Sequence, residues 1–189
     1  MKVIFLDIDG VLQPYSAEDH FYEYDKRTRA LIAELSSRHN VDFSQYSFID
    51  VLATYYDWNE QAVARVKYIL ERTGSKIIAS TDWRDDKKPY LVRDLLAIHS
   101  LNTFWYADNI VLDKHIPFVE RRALEIQDSL RRYPIEQFVV LDDKKELRDY
   151  FPNNSVITHD YIDLNNTEEA VKILMRWQPK WQNIGQLMS

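Results

Sequence analysis

The sequence has no cysteine, only three glycines and no long apolar run, and each of these absences excludes a class of protein. Without cysteine the chain has no disulfide, no thiolate zinc site and no thiol nucleophile. The glycines do not form the phosphate-binding loop of a P-loop protein. No apolar run approaches the roughly 18 residues that a membrane-spanning helix needs. We therefore expect a soluble, cytoplasmic protein that has no membrane partner.

Acidic residues outnumber basic ones: the chain has 24 Lys and Arg and 30 Asp and Glu, so its formal net charge is −6. Non-specific nucleic-acid binding generally needs a large basic surface. The charge balance therefore argues against nucleic acid as a partner and leaves room only for a short or terminal nucleotide. What the chain does have is 46% hydrophobic residues over 189 positions, which is enough for the core of one compact domain.

The first apolar stretch, Lys2–Leu12, is interrupted by two acids. Val3–Leu6 shows no polar alternation, which is typical of a strand that is covered on both faces. Asp7 and Asp9 follow it, and residues two apart in an extended segment project to the same side. Gly10 then permits a sharp turn. The pattern predicts a buried strand that ends in two carboxylates at the edge of the sheet where α/β proteins bind ligands.

Two later apolar stretches, at 76–79 and 137–141, also end in polar residues. The polar residues that follow them are Ser80, Thr81, Asp142 and Asp143. Because parallel strands place their carboxyl ends at one edge of a sheet, we expect these side chains to lie near Asp7 and Asp9.

Helical periodicity alternates with these strands along the chain. It predicts helices at 27–39, 60–73, 89–100, 118–133 and 167–177, and further strands within 102–111 and at 155–158. Five βα-like units of this kind predict an α/β fold with one doubly wound, mainly parallel five-stranded sheet and helices on both faces.

The stretch between the first strand and the second helix departs from this pattern. Ten of the 25 aromatic residues lie within it, so we expect it to pack as a unit and not to act as a linker. We therefore divide the chain into a core formed by 1–12 and 59–176, a small helical, aromatic-rich lid insertion at 13–58, and a C-terminal tail at 177–189. The sequence of the tail contains no motif that indicates a function.

The polar strand ends, taken in order with a basic residue on a later helix, resemble the four motifs of the haloacid dehalogenase-like (HAD) superfamily. The resemblance covers roughly residues 1–176 and is similar to a small-lid subgroup that includes HAD domains of nucleic-acid repair proteins. It implies a Rossmann-like core and a magnesium-dependent phosphohydrolase with a small phosphorylated substrate.

The resemblance also implies roles for individual residues. Asp7 would be the nucleophile that forms an aspartyl-phosphate, and Asp9 the general acid and base. Ser80, followed by Thr81, would supply the hydroxyl that binds the substrate phosphate. Mg²⁺ would be held by Asp7, the backbone carbonyl of Asp9 and Asp142, while Asp143 would ligate through water or hold the basic group.

The basic residue of the third motif has three candidates. Arg122 fits the subgroup best, and Lys114 and Arg121 are the alternatives for contacting the substrate phosphate. Arg84 could contact phosphate or form a structural ion pair with equal chance, and Asp82 adds an acid that could tune specificity. The five histidines show no metal-ligand spacing and are expected on the surface or in loops; they are His20, His39, His99, His115 and His159.

The leading hypothesis is a Mg²⁺-dependent phosphatase that hydrolyses a small phosphomonoester such as a nucleotide or sugar phosphate. Two alternatives remain: a 3′-end phosphatase on RNA or DNA, and a catalytically idle phosphate-binding or interaction module. Intact Asp7 and Asp9 argue against the idle module, because such a site has no need of two carboxylates.

Overall fold

A computed structural model describes residues 1–17, 21–84, 87–88 and 90–176 of the chain. Its strands are β1 (Lys2–Leu6), β2 (Lys76–Ala79), β3 (Trp105–Asp108), β4 (Gln137–Asp142) and β5 (Ser155–Ile157). They form one sheet in the order β3-β2-β1-β4-β5, and all four pairings are parallel. The α/β class and the parallel five-stranded sheet predicted from the sequence are confirmed.

Seven helices lie in the described part of the chain, and some of them begin or end at residues that favour helix termini. They are α1 (Lys26–His39), α2 (Phe48–Tyr56), α3 (Glu60–Thr73), α4 (Leu91–Ile98), α5 (Phe118–Arg132), α6 (Leu147–Tyr150) and α7 (Leu164–Met175). The Asp25 carboxylate caps α1 by accepting the backbone N–H of Thr28 at 2.8 Å. Asn40 and Gly74 end α1 and α3 with left-handed backbone, at φ 52° and 67°.

The central strand β1 explains the apolar run at the start of the sequence. Ile4 and Leu6 project into the core that the sheet shares with α3 and α7, whereas Val3 and Phe5 project into the core shared with α5. All four side chains are at most 2% exposed. A strand buried on both faces cannot carry alternating polar residues, so its first polar side chains come where it leaves the sheet.

The insertion predicted at 13–58 packs against α4. Ile32 of α1 and Val51 of α2 form one apolar cluster with Leu91 and Leu95 of α4. Helix α2 is not predicted by the helical periodicity, because it buries four consecutive residues, 51–54, and so lacks the spacing of an amphipathic helix. The division of the chain into core, lid and tail remains a prediction.

Two helices, α4 and α7, differ from their predicted ranges by more than one residue at an end. Helix α7 begins at Leu164 and not at Thr167, because Asp163 and Asn166 form a reciprocal capping box. Helix α4 spans fewer residues than the predicted 89–100. The predicted positions Pro89, Trp177 and the tail lie outside the described residues. Within the described ranges, no helix is long and apolar enough to cross a membrane, and the cytoplasmic location remains a prediction.

The strand order fixes where a ligand can bind. From β1 the chain proceeds outward through β2 and β3, and it then returns to place β4 on the other side of β1. The order therefore reverses between β1 and β4. In open α/β sheets the crevice at the carboxyl ends of the strands beside such a reversal is the usual ligand site.

Candidate active site

Three carboxylates meet at the reversal of the strand order. Asp7 follows β1, Asp142 ends β4, and Asp143 comes next in the chain. One oxygen atom from each lies within 4.8 Å of the others. The strand register produces this meeting, since Leu6 pairs with Leu141 and the Asp7 backbone N–H donates to the Leu141 carbonyl at 3.0 Å.

Asp7 is held in one orientation and is almost entirely buried. Its Oδ1 accepts the backbone N–H of Ile8 at 2.8 Å, and its carboxylate also accepts the Thr81 hydroxyl. Its Oδ2 lies 3.2 Å from Nη1 of Arg122. Burial raises the pKa of the Asp7 carboxyl above its usual value, and Arg122 opposes that effect without cancelling it.

Arg122 lies between two of the acids, with its side chain 2% exposed. Its Nη1 is 3.2 Å from Asp7 Oδ2 and 3.0 Å from Asp142 Oδ2, and it also donates to the Ser80 carbonyl. Burial lowers the pKa of the guanidinium, but Asp7 and Asp142 outweigh this and raise it above its ordinary value. Of the three candidate basic residues, Arg122 is the one that contacts Asp7.

The two alternatives to Arg122 contact neither Asp7 nor Asp142 in the described structure. Arg121 donates through Nη2 to Asp82 Oδ1 at 3.2 Å and lines a neighbouring cavity of about 190 Å³. Lys114 is exposed and lines that cavity and a second one, of about 550 Å³. The cavity of about 250 Å³ that contains Asp7 is lined by Arg122 and by neither alternative.

Asp142 and Asp143 differ in what their oxygens contact. Asp142 is fully buried, and burial together with the nearby Asp7 raises its pKa well above the usual value. Asp143 accepts hydrogen bonds at Oδ2 from the Tyr15 hydroxyl and the Lys144 ammonium. Its Oδ1 is buried and has no hydrogen-bond partner among the described residues.

That unbonded oxygen bears on the magnesium predicted from the sequence. A buried carboxylate oxygen without a partner is costly unless something else satisfies it. Here it lies in a cluster with Asp7 and Asp142 that offers oxygen atoms only, which is the donor set that a hard cation such as Mg²⁺ prefers. The three residues therefore fit a metal ion.

Gly10 permits the close packing at this edge of the sheet. Its φ of 72° is in the left-handed region, and an added Cβ would lie 2.8 Å from Asp143 Cβ and 3.2 Å from the Tyr15 ring. A side chain at this position would displace Asp143 or Tyr15.

Asp9, the second acid of the first motif, lines the same cavity as Asp7. The indole Nε1 of Trp83 lies 3.0 Å from both of its carboxylate oxygens. Asp9 is thus outside the three-carboxylate cluster, and its side chain faces the cavity beside the cluster.

The two hydroxyls that follow β2 have different surroundings. The Ser80 hydroxyl is fully buried and accepts the Asn109 side-chain amide at 3.1 Å; that amide's oxygen in turn accepts the Ser129 hydroxyl at 2.7 Å. The Thr81 hydroxyl contacts Asp7. Between the two hydroxyls predicted to bind phosphate, the geometry therefore favours Thr81, and Ser80 belongs to a buried network behind the site.

Arg84 forms the structural ion pair that was one of its two predicted roles. Its Nη2 lies 2.7 Å from Oε2 of Glu125, which is fully buried. Its other nitrogens donate to backbone carbonyls of Thr81, Asn109 and Ile110. Arg84 therefore ties the loops after β2 and β3 to α5.

Several residues of the site are missed by sequence reasoning. They are Tyr15, Trp83, Asn109, Glu125 and Lys144. Lys144 directly follows the acid pair and Trp83 closely follows Ser80 and Thr81, so adjacency could have signalled these two. No local signal marks Tyr15 or Asn109, because their contacts join residues 128 and 29 positions apart.

None of the four described histidines lines the cavity of Asp7. His20 lies outside the described residues. His99 lies in the turn after α4, where its ring is partly buried: it stacks on Trp58 with ring centroids 5.2 Å apart, and its ring nitrogen lies 2.7 Å from the Thr54 carbonyl. Burial lowers the pKa of the His99 ring, which is consistent with a packing role.

Comparison with known protein families identifies the family of this domain. The family described as the HAD domain in Swiss Army Knife RNA repair proteins matches residues 3–168. Proteins with HAD domains are generally hydrolases, and phosphatases in particular. No curated protein matches the sequence. Because the family match spans most of the chain and includes all four motifs, the chain belongs to this HAD family, and its domain supports a phosphohydrolase type of function.

Proposed function

We propose that this protein is a Mg²⁺-dependent phosphatase that hydrolyses a phosphomonoester through an aspartyl-phosphate on Asp7. The observation that carries the proposal is the position of Arg122, whose Nη1 is 3.2 Å from Asp7 and 3.0 Å from Asp142 at the reversal of the strand order. A cation held there keeps Asp7 oriented toward the cavity and offsets the charge of an arriving phosphoryl group.

Two half-reactions follow from the acids present. In the first, an Asp7 oxygen attacks phosphorus, the bond from phosphorus to the leaving oxygen breaks, and Asp9 gives that oxygen its proton. In the second, Asp9 takes a proton from water, the water oxygen attacks phosphorus, and inorganic phosphate leaves as the Asp7 carboxylate is restored. Splitting one hydrolysis into two displacements lowers each barrier.

The remaining groups stabilise the charge on the phosphoryl oxygens. Arg122 contributes its guanidinium, and the Thr81 hydroxyl lies beside Asp7 as a further donor. Lys144 lines the same cavity and is held by Asp143 and Tyr15. Asp7, Asp142 and Asp143 would hold Mg²⁺, which supplies charge neutralisation at the transferring phosphoryl group.

Two substrate classes are compatible with the site. A small phosphorylated metabolite, such as a nucleotide or sugar phosphate, is supported by the net charge of −6, which disfavours long nucleic acids. A phosphorylated 3′ end of RNA is supported by the description of the family, which names RNA repair proteins. The small phosphomonoester remains our leading proposal.

The direct test is turnover of p-nitrophenyl phosphate with Mg²⁺ and with EDTA. We expect turnover that EDTA abolishes, and Asp7→Asn and Asp9→Asn should each lose far more than tenfold in rate. Asp149→Asn, which makes the same change on an exposed residue of α6, is the matched control. Absence of turnover, or losses below about tenfold in both active-site variants, would contradict the proposal and favour an idle phosphate-binding module.

The substrate classes are then separated by a second comparison. Phosphate release is measured from a panel of nucleotides and sugar phosphates and from short RNA oligonucleotides with a 3′-phosphate. A higher kcat/KM on the metabolites supports the leading proposal, and a higher value on the oligonucleotides supports the alternative.

A further inference from the structure

The side chain of Trp83 makes an unusual contact with Asp9. Its indole Nε1 is 3.0 Å from Oδ1 and 3.0 Å from Oδ2, so one N–H is shared between both oxygens of the carboxylate. The two residues are 74 positions apart in the chain, and the contact joins the end of the β2 region to the end of the β1 region.

The indole itself is held from several directions. Its ring packs against the central core and against the cluster between the insertion and α4. It also makes an edge contact with Trp58, with ring centroids 6.2 Å apart, and its backbone N–H reaches the Thr81 hydroxyl at 3.3 Å. The next residue, Arg84, is anchored to Glu125. The donor that contacts Asp9 therefore has little freedom to move.

We propose that Trp83 is a positioning residue for Asp9, which it holds in the orientation needed to deliver a proton to the leaving oxygen. This inference rests on the proposed function. Asp9 is only partly buried, and an N–H at 3.0 Å from both of its oxygens restricts the rotation of the carboxylate. Proton transfer requires the acid to lie within hydrogen-bond reach of the leaving oxygen, and a displaced acid loses that contribution.

The same indole also indicates where the leaving group lies. Trp83 lines a cavity of about 550 Å³ together with Leu91, Val111 and Lys114. Asp82 lines both this cavity and the one that contains Asp7 and Asp9. Because Asp9 must face the leaving oxygen and Trp83 contacts Asp9, the leaving group enters on the Trp83 side. The volume is within the range of pockets that hold small organic ligands.

The test compares a good and a poor leaving group in the variant Trp83→Phe, which keeps an aromatic ring and removes the N–H. The good leaving group is p-nitrophenolate from p-nitrophenyl phosphate, which needs little protonation; the poor one is the alkoxide of glycerol 2-phosphate. The parameter is kcat/KM, because it reports only the steps through cleavage of the substrate. We expect the ratio of the two values to shift by about tenfold or more against glycerol 2-phosphate.

Two further variants serve as controls. Trp58→Phe makes the same change at a neighbouring buried tryptophan whose indole N–H has no partner among the described residues. It should leave the ratio unchanged. Asp9→Asn removes the acid itself and should shift the ratio in the same direction as Trp83→Phe, and further. If Trp83 had a purely structural role, Trp83→Phe would lower kcat/KM equally for both substrates, and the ratio of the two values would not change.

A spectroscopic measurement tests the contact without changing Trp83 in the tested protein. The indole ¹H–¹⁵N resonance of Trp83, assigned with the variant, should shift in Asp9→Asn protein free of metal and substrate, whereas the Trp58 resonance should move less. An unmoved Trp83 resonance, or an unchanged substrate ratio in active Trp83→Phe protein, would overturn the inference and leave the proposed function intact. Absence of turnover in the wild type would overturn the proposed function and this inference together.

Discussion

Arg84 and Arg122 are both buried at the carboxyl edge of the sheet, yet their surroundings differ. The Arg84 side chain, 4% exposed, pairs with one acid, Glu125, and gives its other donors to backbone carbonyls. Glu125 also accepts the backbone N–H of Leu112 at 3.0 Å. Charge and hydrogen bonds are therefore balanced around Arg84, as is expected of a residue that holds loops in place.

Around Arg122 the charges are not balanced. One guanidinium contacts the two buried acids Asp7 and Asp142, and Asp143 lies close by with one oxygen unbonded. The pKa values of Asp7 and Asp142 are both raised, chiefly by burial. The Arg84 ion pair, with its partners satisfied, is typical of a structural role, whereas acids that outnumber their cation are the arrangement on which we base the proposed binding of a metal ion and a phosphoryl group.

The largest expected effect on stability comes from Arg84→Met. The variant removes the closer of two basic partners of the buried Glu125 and leaves Arg121, whose Nε lies 4.0 Å from Oε1. We expect a loss in the free energy of unfolding that approaches the roughly 3 to 5 kcal/mol of a broken buried ion pair. Mg²⁺ should not restore the loss, because Glu125 lies outside the three-carboxylate cluster. Urea unfolding with and without Mg²⁺ measures this. Arg131→Met on the exposed face of α5 is the control, and a loss near that of the control would contradict the structural role of Arg84.

Arg122→Met should lower turnover, in addition to the stability that is lost when the buried Asp7 and Asp142 lose their counterion. Removing a preorganised donor to the developing charge lowers kcat by about 10²- to 10³-fold, or about 2.7 to 4 kcal/mol. Steady-state kinetics with p-nitrophenyl phosphate checks this. Lys114→Met is the matched comparison, because Lys114 is exposed and lines two neighbouring cavities but not the described cavity of Asp7. If Lys114→Met lowered kcat more than Arg122→Met, phosphate contact would have to be assigned to Lys114.

Magnesium should stabilise the fold through the acids around Arg122. Binding to the native state alone contributes about 2.7 kcal/mol at a hundredfold excess over the dissociation constant. Thermal melting should show a clear rise in Tm with Mg²⁺ in the wild type and in Asp149→Asn. Asp142→Asn should raise the Tm of the metal-free protein and remove most of the Mg²⁺ response. A wild-type Tm that Mg²⁺ does not change would contradict a metal site.

The response to Mg²⁺ should also depend on pH. A carboxyl whose pKa is raised in the folded state stabilises the fold while protonated, and that contribution is lost as pH rises through the raised pKa. This applies to Asp7 and Asp142, so the metal-free protein should lose stability as pH rises above the ordinary aspartate range. Mg²⁺ must displace the protons, so its Tm shift should grow with pH. Melting curves over a pH series, with and without Mg²⁺, measure both trends, and a shift that shrinks with rising pH would contradict this assignment.

The smallest effect is expected for Tyr15→Phe. The Tyr15 hydroxyl donates to Asp143 and comes from the insertion, so its loss should loosen one candidate metal ligand. The loss of a single hydrogen bond, about 1 kcal/mol, corresponds to a roughly fivefold weaker affinity for Mg²⁺. Titration of turnover with Mg²⁺ measures this, and Tyr68→Phe on the surface of α3 is the control. Equal behaviour of the two variants would show that Tyr15 does not act on the metal site.

The elements that local sequence determines could be predicted from the chain. The apolar run of β1, the Asp25 cap of α1 and the glycine end of α3 each depend on a few neighbouring residues. The meeting of Asp7 with Asp142 could also be predicted, because both end apolar strands and parallel strands place their carboxyl ends at one edge. The roles of these site residues remain predictions that the proposed experiments test.

What could not be predicted depends on contacts between distant parts of the chain. The sequence does not show that Ser80 faces Asn109 while Thr81 faces Asp7, since adjacent hydroxyls differ only in the direction that the backbone gives them. It also leaves the role of Arg84 undecided, because an arginine that binds phosphate and one that binds Glu125 look alike in sequence. These choices are made by tertiary packing.

The central claim, that Asp7 becomes covalently phosphorylated, is tested most directly by trapping. The protein is mixed with p-nitrophenyl phosphate and Mg²⁺, quenched during turnover and treated with borohydride, which reduces an acyl phosphate to an alcohol. Peptide mass spectrometry then locates the modified residue. The account predicts reduction at Asp7 that requires both substrate and Mg²⁺ and is absent from Asp7→Asn. Phosphate release without modification of Asp7, or modification at another acid, would contradict it.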